Sequence, residues 1–335
     1  MINSTAMRTL GVAIMVIITM LGLFAATQVP LVGALMLSIA GIPAFVIILA
    51  WGGPWFLLYS GLTITLAGIL ATPSTAVMLV PLIFLPAAVL SAAVRFGLTP
   101  LRAIGLTLMS ATLFSTGLWT AANGFDSNSK ALQPIREKFS EQITIIEGQL
   151  DKIQEKGQES QENLDAAREN LRAVFEHTLL LIPVTFLFVW HLLTLGIFYA
   201  GAVYFASRLG YEIKPVPPFA EWRFDWNLIW LYIAGWLLFH VIGSADNIPA
   251  YDVARSVGAN CLAISSILYF IAGMSLMFFM FNKYQTGTIG RMGLSCLALV
   301  FTQAVVWFGI IDVWADFRTP KPSLFQSSED SDDDF

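Results

Sequence analysis

The amino-acid sequence predicts an all-α polytopic membrane protein of about nine transmembrane helices, with an extramembrane helical hairpin inserted after the fifth. Three observations predict it. The 335 residues are 56% hydrophobic and 12% charged, with mean hydropathy +0.71, whereas soluble domains carry roughly a quarter charged residues. From Thr9 to Val94 there is no Lys, Arg, Asp, Glu or His. Between Asn123 and His177 the pattern reverses, and seven basic residues stand among eleven acidic ones.

Inside a bilayer only helices and closed barrels satisfy their own backbone groups, and a helix needs about 20 apolar residues to cross. The apolar runs show no period-two alternation, so helices are expected. The spans are placed at Thr9–Ala26, Leu31–Ala50, Pro54–Ala71, Thr75–Val94 and Leu101–Ala122, then Thr178–Ala206, Asn227–Gly243, Val257–Phe281 and Arg291–Asp312. Gln28-Val29-Pro30, Trp51-Gly52-Gly53-Pro54 and Thr72-Pro73-Ser74 mark tight connections between antiparallel neighbours. The chain therefore reads as a five-span block (1–122), a charged insert (123–177), a four-span block (178–318) and an acidic tail (319–335) expected to be disordered.

Lys and Arg in short loops are retained in the cytoplasm. With the N-terminus inside, Arg8, Arg95, Arg102, Arg208, Lys214, Arg223, Lys283 and Arg291 all fall on the cytoplasmic side, and the short outer loops hold only Arg255. The localisation expected is the bacterial inner membrane, with the insert in the periplasm. Arg318 and Lys321 follow the last span on the outer side, against the rule. Arg8 before an apolar run resembles a signal peptide, but no small-residue cleavage site follows, so Thr9–Ala26 is read as the first span.

Within the insert Leu132, Phe139, Ile146 and Ile153 recur every seven residues, with Ile135, Ile143 and Leu150 on the same face. After Lys156-Gly157-Gln158 a second seam, Leu164, Ala167, Leu171 and Val174, runs directly into the sixth span. This predicts a coiled-coil-like hairpin with its tip near Gly157 and a first arm of about 40 Å. It either spaces the fifth and sixth spans or docks a protein partner or a second copy of the chain on Leu132, Phe139, Ile146 and Ile153. The Pro-rich aromatic loop from Arg208 to Trp226 reads as an interfacial segment.

Few groups carry chemistry. There is no HExxH, GxSxG or phosphate-cradling loop, and His and acidic residues are not at metal-ligand spacing, so no enzyme, cofactor or metal is expected. Net charge −5 without a basic stripe argues against nucleic acid. Cys261 and Cys296 lie in apolar segments and define no disulfide framework. Intramembrane polar groups are functional candidates because they are costly to bury. Asn260, Asp246, Asp312 and His240 are the candidate ligand-binding residues; Asp252 and Arg255 belong to the same outer loop as Asp246. His191 reads as a hydrogen-bonded packing residue before a proton relay. At the C-terminal end Asp312 and Asp316 share a face, and Arg318 can pair with either if the helix turns.

Asn260, Tyr269-Phe270-Ile271-Ala272-Gly273 and Gly309-Ile310-Ile311-Asp312-Val313-Trp314-Ala315-Asp316-Phe317-Arg318 resemble the C-terminal signature of the YybS-like bacterial membrane proteins, a family of unknown function. The break at Val29-Pro30, Pro43 in the second span and the basic loop after the fourth resemble its N-terminal half. The likeness covers most of the membrane part and neither insert nor tail. That family is in turn similar to the substrate-binding S components of energy-coupling-factor vitamin transporters, which implies a small-molecule pocket within the bundle. The function expected is thus small-molecule binding for uptake or sensing in the lipid bilayer. The alternative is an assembly protein whose hairpin recruits an envelope partner.

Overall fold

A computed structural model describes residues 5–28, 30–123, 133–155, 161–182, 184–211, 214–242, 251–315 and 317–318, and among these there is no strand. The residues group into two compact units: Met1–Val216 with Leu237–Asn260, and Pro217–Trp236 with Cys261–Phe335.

In the first unit the helices are α1 (Thr5–Gln28), α2 (Pro30–Trp51), α3 (Gly53–Leu70), α4 (Pro73–Leu79), α5 (Leu85–Arg95), α6 (Pro100–Asn123), α7 (Gln133–Glu155), α8 (Gln161–Leu181) and α9 (Val184–Arg208). Helix α2 packs against α1, α3, α5 and α9. A helix that is apolar all round belongs in a core, and Ala44, Phe45 and Ile47 of α2 are fully buried. The Phe45 ring meets Phe198 of α9 edge-to-face at 6.1 Å. Between α1 and α3 the buried hydroxyls of Thr19 and Tyr59 share a 2.6 Å hydrogen bond.

The C-terminal carbonyls of α2 have no partner within their own helix. Arg95 Nη2 donates to Ile48 O at 2.6 Å and Tyr211 Oη to Leu49 O at 2.7 Å. A guanidinium there also complements the negative end of the helix dipole. Gly52, at φ +90°, takes the backbone into α3 through a conformation that other residues resist.

Helices α4 and α5 join through a π-helical turn, Val80–Phe84, into one apolar stretch, Pro73–Arg95. Pro81 explains the turn, since it has no N–H for the ladder. Val77 O accepts instead from Val80 N–H, and Leu85 N–H reaches back to Val80 O.

Helices α7 and α8 are antiparallel. Phe139 meets Phe175 at 5.4 Å between ring centroids, and ion pairs join Arg172 to Glu147 at 2.9 Å and Arg168 to Asp151 at 2.5 Å. The two aspartates beside it, Asp151 first, hold the Arg168 pKa above its ordinary value. The expected seam is covered in part: Leu164 is 3% exposed, whereas Phe139 and Ile146 stay 36% and 38% exposed and Val174 is 64% exposed. Ile143, Leu150, Leu171 and Phe175 are the half-buried residues. Leu132 and the tip near Gly157 lie outside the described residues. The second seam does not run straight into the sixth span, because α8 ends at Leu181 and α9 begins at Val184, with Pro183 between them.

The second unit comprises most of α10 (Leu228–Leu237), the larger part of α11 (Tyr251–Lys283), α12 (Thr288–Val300) and α13 (Thr302–Ala315). Tyr269, Val306, Ile310 and Ile229 form its buried apolar cluster. Helices α11 and α13 cross backbone to backbone. A Cβ on Gly273 would run into Val305 O, and one on Gly309 would run into Tyr269 O.

Among the described residues, six helices are long and apolar enough to cross a bilayer: Thr5–Ala25, Gly53–Leu70, Pro73–Arg95, Pro100–Ala122, Val184–Arg208 and Tyr251–Lys283. Counting the bent pair Thr288–Val300 with Thr302–Ala315 as one span gives seven among the described residues, against the about nine expected. Ser38–Trp51 within α2 and Leu228–Ile242 are shorter apolar helices. The latter joins 10 α-helical residues to a 5-residue π turn, so it reaches only about 22 Å of the ~30 Å hydrocarbon. The expected span Arg291–Asp312 is broken, because α12 and α13 meet at a 101° bend. Phe301 makes that corner at φ −100°, ψ 47°: its N–H closes α12 on Leu297 O, and its carbonyl opens α13 by accepting from Val305 N–H.

Candidate functional site

Asn260 is buried, and both ends of its amide are engaged. Oδ1 accepts from Thr185 N–H at 3.0 Å and from Thr185 Oγ1 at 2.7 Å, while Nδ2 donates to Ser256 O at 2.8 Å. Thr185 is the second residue of α9, so its N–H has no partner in its own helix. An amide from α11 thus acts as the cap of α9. Of the other residues singled out in the sequence, His240 is exposed and stacks edge-on against Phe239, and Asp246 lies outside the described residues.

Asp312 belongs to the second unit. Its Oδ2 lies 2.9 Å from Arg318 Nη2 and accepts from Arg318 Nε at 3.0 Å, and the two side chains are 8% and 3% exposed. Arg318 Nη1 donates to Ala220 O at 2.7 Å, to Ser275 Oγ at 3.0 Å and to Trp222 O at 3.2 Å. Phe279 lies under the guanidinium at 5.8 Å. One arginine thereby ties the 3-10 turn Phe219–Glu221 to α11 and α13. The Pro-rich loop is therefore held down by specific hydrogen bonds, with Trp222 Nε1 closing it on Pro217 O at 2.9 Å. Asp316, the other carboxylate offered to Arg318, lies outside the described residues.

His191 is 3% exposed, and its Nε2 lies 2.9 Å from Ser115 Oγ. With Ser38, Thr107 and Thr194 it borders a cavity of about 20 Å³ within the first unit, room for a single water. No small-molecule chamber exists there.

A larger space opens where α7 and α8 meet the start of α11. It has a volume of about 520 Å³, within the range of ligand pockets. Arg136, Arg172 and Arg255 line it together with Glu147 and Asp252. Ile143, Phe175 and Leu179 form its apolar wall, and Ser140 and Thr144 contribute hydroxyls. Both hydroxyls donate to carbonyls of their own helix, on Glu137 and Ser140 respectively. Arg255 also rests over the Phe239 ring at 5.9 Å. Sequence reading reached Asp252 and Arg255 but missed Arg136, Glu147 and Arg172. Nothing in the sequence separates those three from the other charges of the insert; only the pairing of α7 with α8 gathers them. Among the described residues, no group of three His, Cys, Asp or Glu side chains could hold a metal.

This architecture defines an integral membrane protein with several apolar helices and a charged helix pair. Residues 13–313 match the family described as Predicted membrane protein (DUF2232), and the chain belongs to that family. No curated protein and no solved structure matches the chain.

Proposed function

We propose that this protein binds a small molecule at the membrane surface and acts in its uptake or sensing. The observation behind this reading is the 520 Å³ cleft lined by Arg136, Arg172 and Arg255. The cleft combines an apolar wall with a few polar groups, which is the usual make-up of a ligand site. It is a roomier place for a ligand than the cavity at His191, which takes only one water.

In this reading α7 and α8 form an extramembrane hairpin on the periplasmic face of the bacterial inner membrane, and the N-terminus is cytoplasmic. Labelling a Gly157→Cys variant with an impermeant thiol reagent tests the orientation: labelling in intact spheroplasts supports it, and labelling only after permeabilisation reverses it. Thermal-shift screening of the whole protein in phosphatidylcholine nanodiscs against a metabolite library tests the site. A stabilising compound whose effect disappears in Thr144→Trp, which fills the cleft, supports the reading; a compound that still acts on the filled variant places the site elsewhere.

A second reading is favoured by the half-exposed Phe139 and Ile146 and the 49% exposed Ile145. These apolar side chains would let the helix pair dock an envelope protein. Deleting 130–172 abolishes partner capture in that case, whereas the assembly reading falls if capture persists.

A further inference from the structure

We propose that the cleft takes an amphiphilic anion, with a phosphate or carboxylate head held by Arg136, Arg172 and Arg255 and an apolar body laid on Ile143, Phe175 and Leu179. This deepens, and rests on, the reading of the cleft as a ligand site.

Three guanidinium groups and two carboxylates, Glu147 and Asp252, line the cleft, so its formal charge is positive. Arg172 directs Nε and Nη2 to the same oxygen, Glu147 Oε1, at 3.1 and 2.9 Å. Those bonds use two of the five N–H donors of a guanidinium, and 67% of the Arg172 side chain is exposed. Arg255 lies over the Phe239 ring at 5.9 Å, and a cation–π contact of this kind uses none of the N–H donors with which a guanidinium grips an anion. The Ser140 and Thr144 hydroxyls donate to backbone carbonyls, so the arginines are left as the donors for an anion in the cleft. Arg255 also stands in the second turn of α11, at the positive end of that helix.

The apolar part follows from depth. Phe175 and Leu179 belong to the last turns of α8, a few residues before the apolar helix Val184–Arg208, and Asp252 and Arg255 open the apolar helix Tyr251–Lys283. The cleft therefore lies where both helices leave water for hydrocarbon. A molecule there has its charged head among arginines and its body against carbon. A phospholipid headgroup and a water-soluble alkyl phosphate or fatty carboxylate share this chemistry.

The test uses full-length protein in phosphatidylcholine nanodiscs, titrated calorimetrically with octyl phosphate, octanol and inorganic phosphate. Octyl phosphate should bind, and both octanol and inorganic phosphate should bind at least tenfold more weakly. Arg255→Gln and Arg172→Gln should each weaken octyl phosphate by about tenfold or more, and Arg208→Gln should not. If Arg172→Gln unfolds through loss of its pair with Glu147, Arg255→Gln decides. Repeating the titration in phosphatidylglycerol nanodiscs separates the sources: lost affinity identifies a lipid headgroup, and unchanged affinity a soluble amphiphile. Octanol binding as tightly as octyl phosphate and being expelled by Thr144→Trp overturns the anion while keeping the cleft. Octyl phosphate binding that ignores both arginine variants overturns the proposal, and absence of binding by every probe overturns the cleft reading with it.

Discussion

Arg318 and Asp312 form an ion pair at 2.9 Å in which the guanidinium side chain is 3% exposed and the carboxylate side chain 8%. The pair is completed by the carbonyls of Ala220 and Trp222 and the hydroxyl of Ser275. Removing one member of a buried pair strands the other charge, which costs about 3–5 kcal/mol, whereas replacing both by apolar groups is often close to neutral. Arg318→Met should therefore sharply lower the thermal unfolding midpoint of the purified protein, and the double variant Arg318→Met, Asp312→Leu should recover a large part of the loss. A double variant no better than the single one would show that the carbonyl contacts outweigh the ion pair.

The crossing of α11 and α13 has no room for a methyl group. Gly273→Ala and Gly309→Ala each push a Cβ into backbone oxygen, and overpacking of this kind costs about 1–3 kcal/mol or more. Gly293→Ala, where nothing lies within 4 Å, should be neutral or should stabilise by up to about 1 kcal/mol. Thermal unfolding of the three variants in one detergent separates the close contact from helix propensity.

Asn260→Leu removes the acceptor that serves Thr185 N–H and leaves that donor buried. The expected cost is about 1–3 kcal/mol. Because the amide is engaged with α9 and Ser256, ligand binding in the cleft should be unchanged once the variant is folded. A fall in ligand affinity without a fall in unfolding midpoint would return Asn260 to the ligand site.

The antiparallel register of α7 and α8 predicts a specific cross-link. In a background of Cys261→Ser and Cys296→Ser, the pair Phe139→Cys, Phe175→Cys should be joined rapidly by a short bismaleimide, since the native rings are 5.4 Å apart. Phe139→Cys with Val174→Cys should react more slowly because Val174 points to the exposed side. Equal rates for both pairs would mean that the helices rotate freely against each other.

Much of the helix content was legible in the sequence, since a charge-free run such as Thr9–Val94 can satisfy its backbone in lipid only as helix. The span count was not. Composition reads Arg291–Asp312 as one continuous apolar run, but Phe301 turns the backbone by 101° with no proline or glycine to announce it. Similarly, Leu228–Ile242 is apolar enough for a span and too short. Period seven in the insert correctly indicated helix, and Ile143 and Leu150 on its face are half-buried as is Phe175, whereas Phe139 and Ile146 of the repeat itself stay more exposed. A heptad names a stripe, and the neighbouring helix decides which edge of it is covered.

Of the candidate residues, Asn260 and Asp312 were recognisable from the cost of burying polar groups in apolar helices. What they do was not, because Thr185 lies 75 residues from Asn260 and the carbonyls that receive Arg318 lie up to 98 residues away. By itself the sequence determined that this chain enters a membrane, that it does so as helix and where its charges cluster, because those properties follow from local hydrophobicity. Only the tertiary structure decided that Arg136, Arg172 and Arg255 share one cleft and that the glycines at 273 and 309 meet partner backbone. Those relationships depend on which helix faces lie against each other, a choice made by packing between residues far apart in the chain.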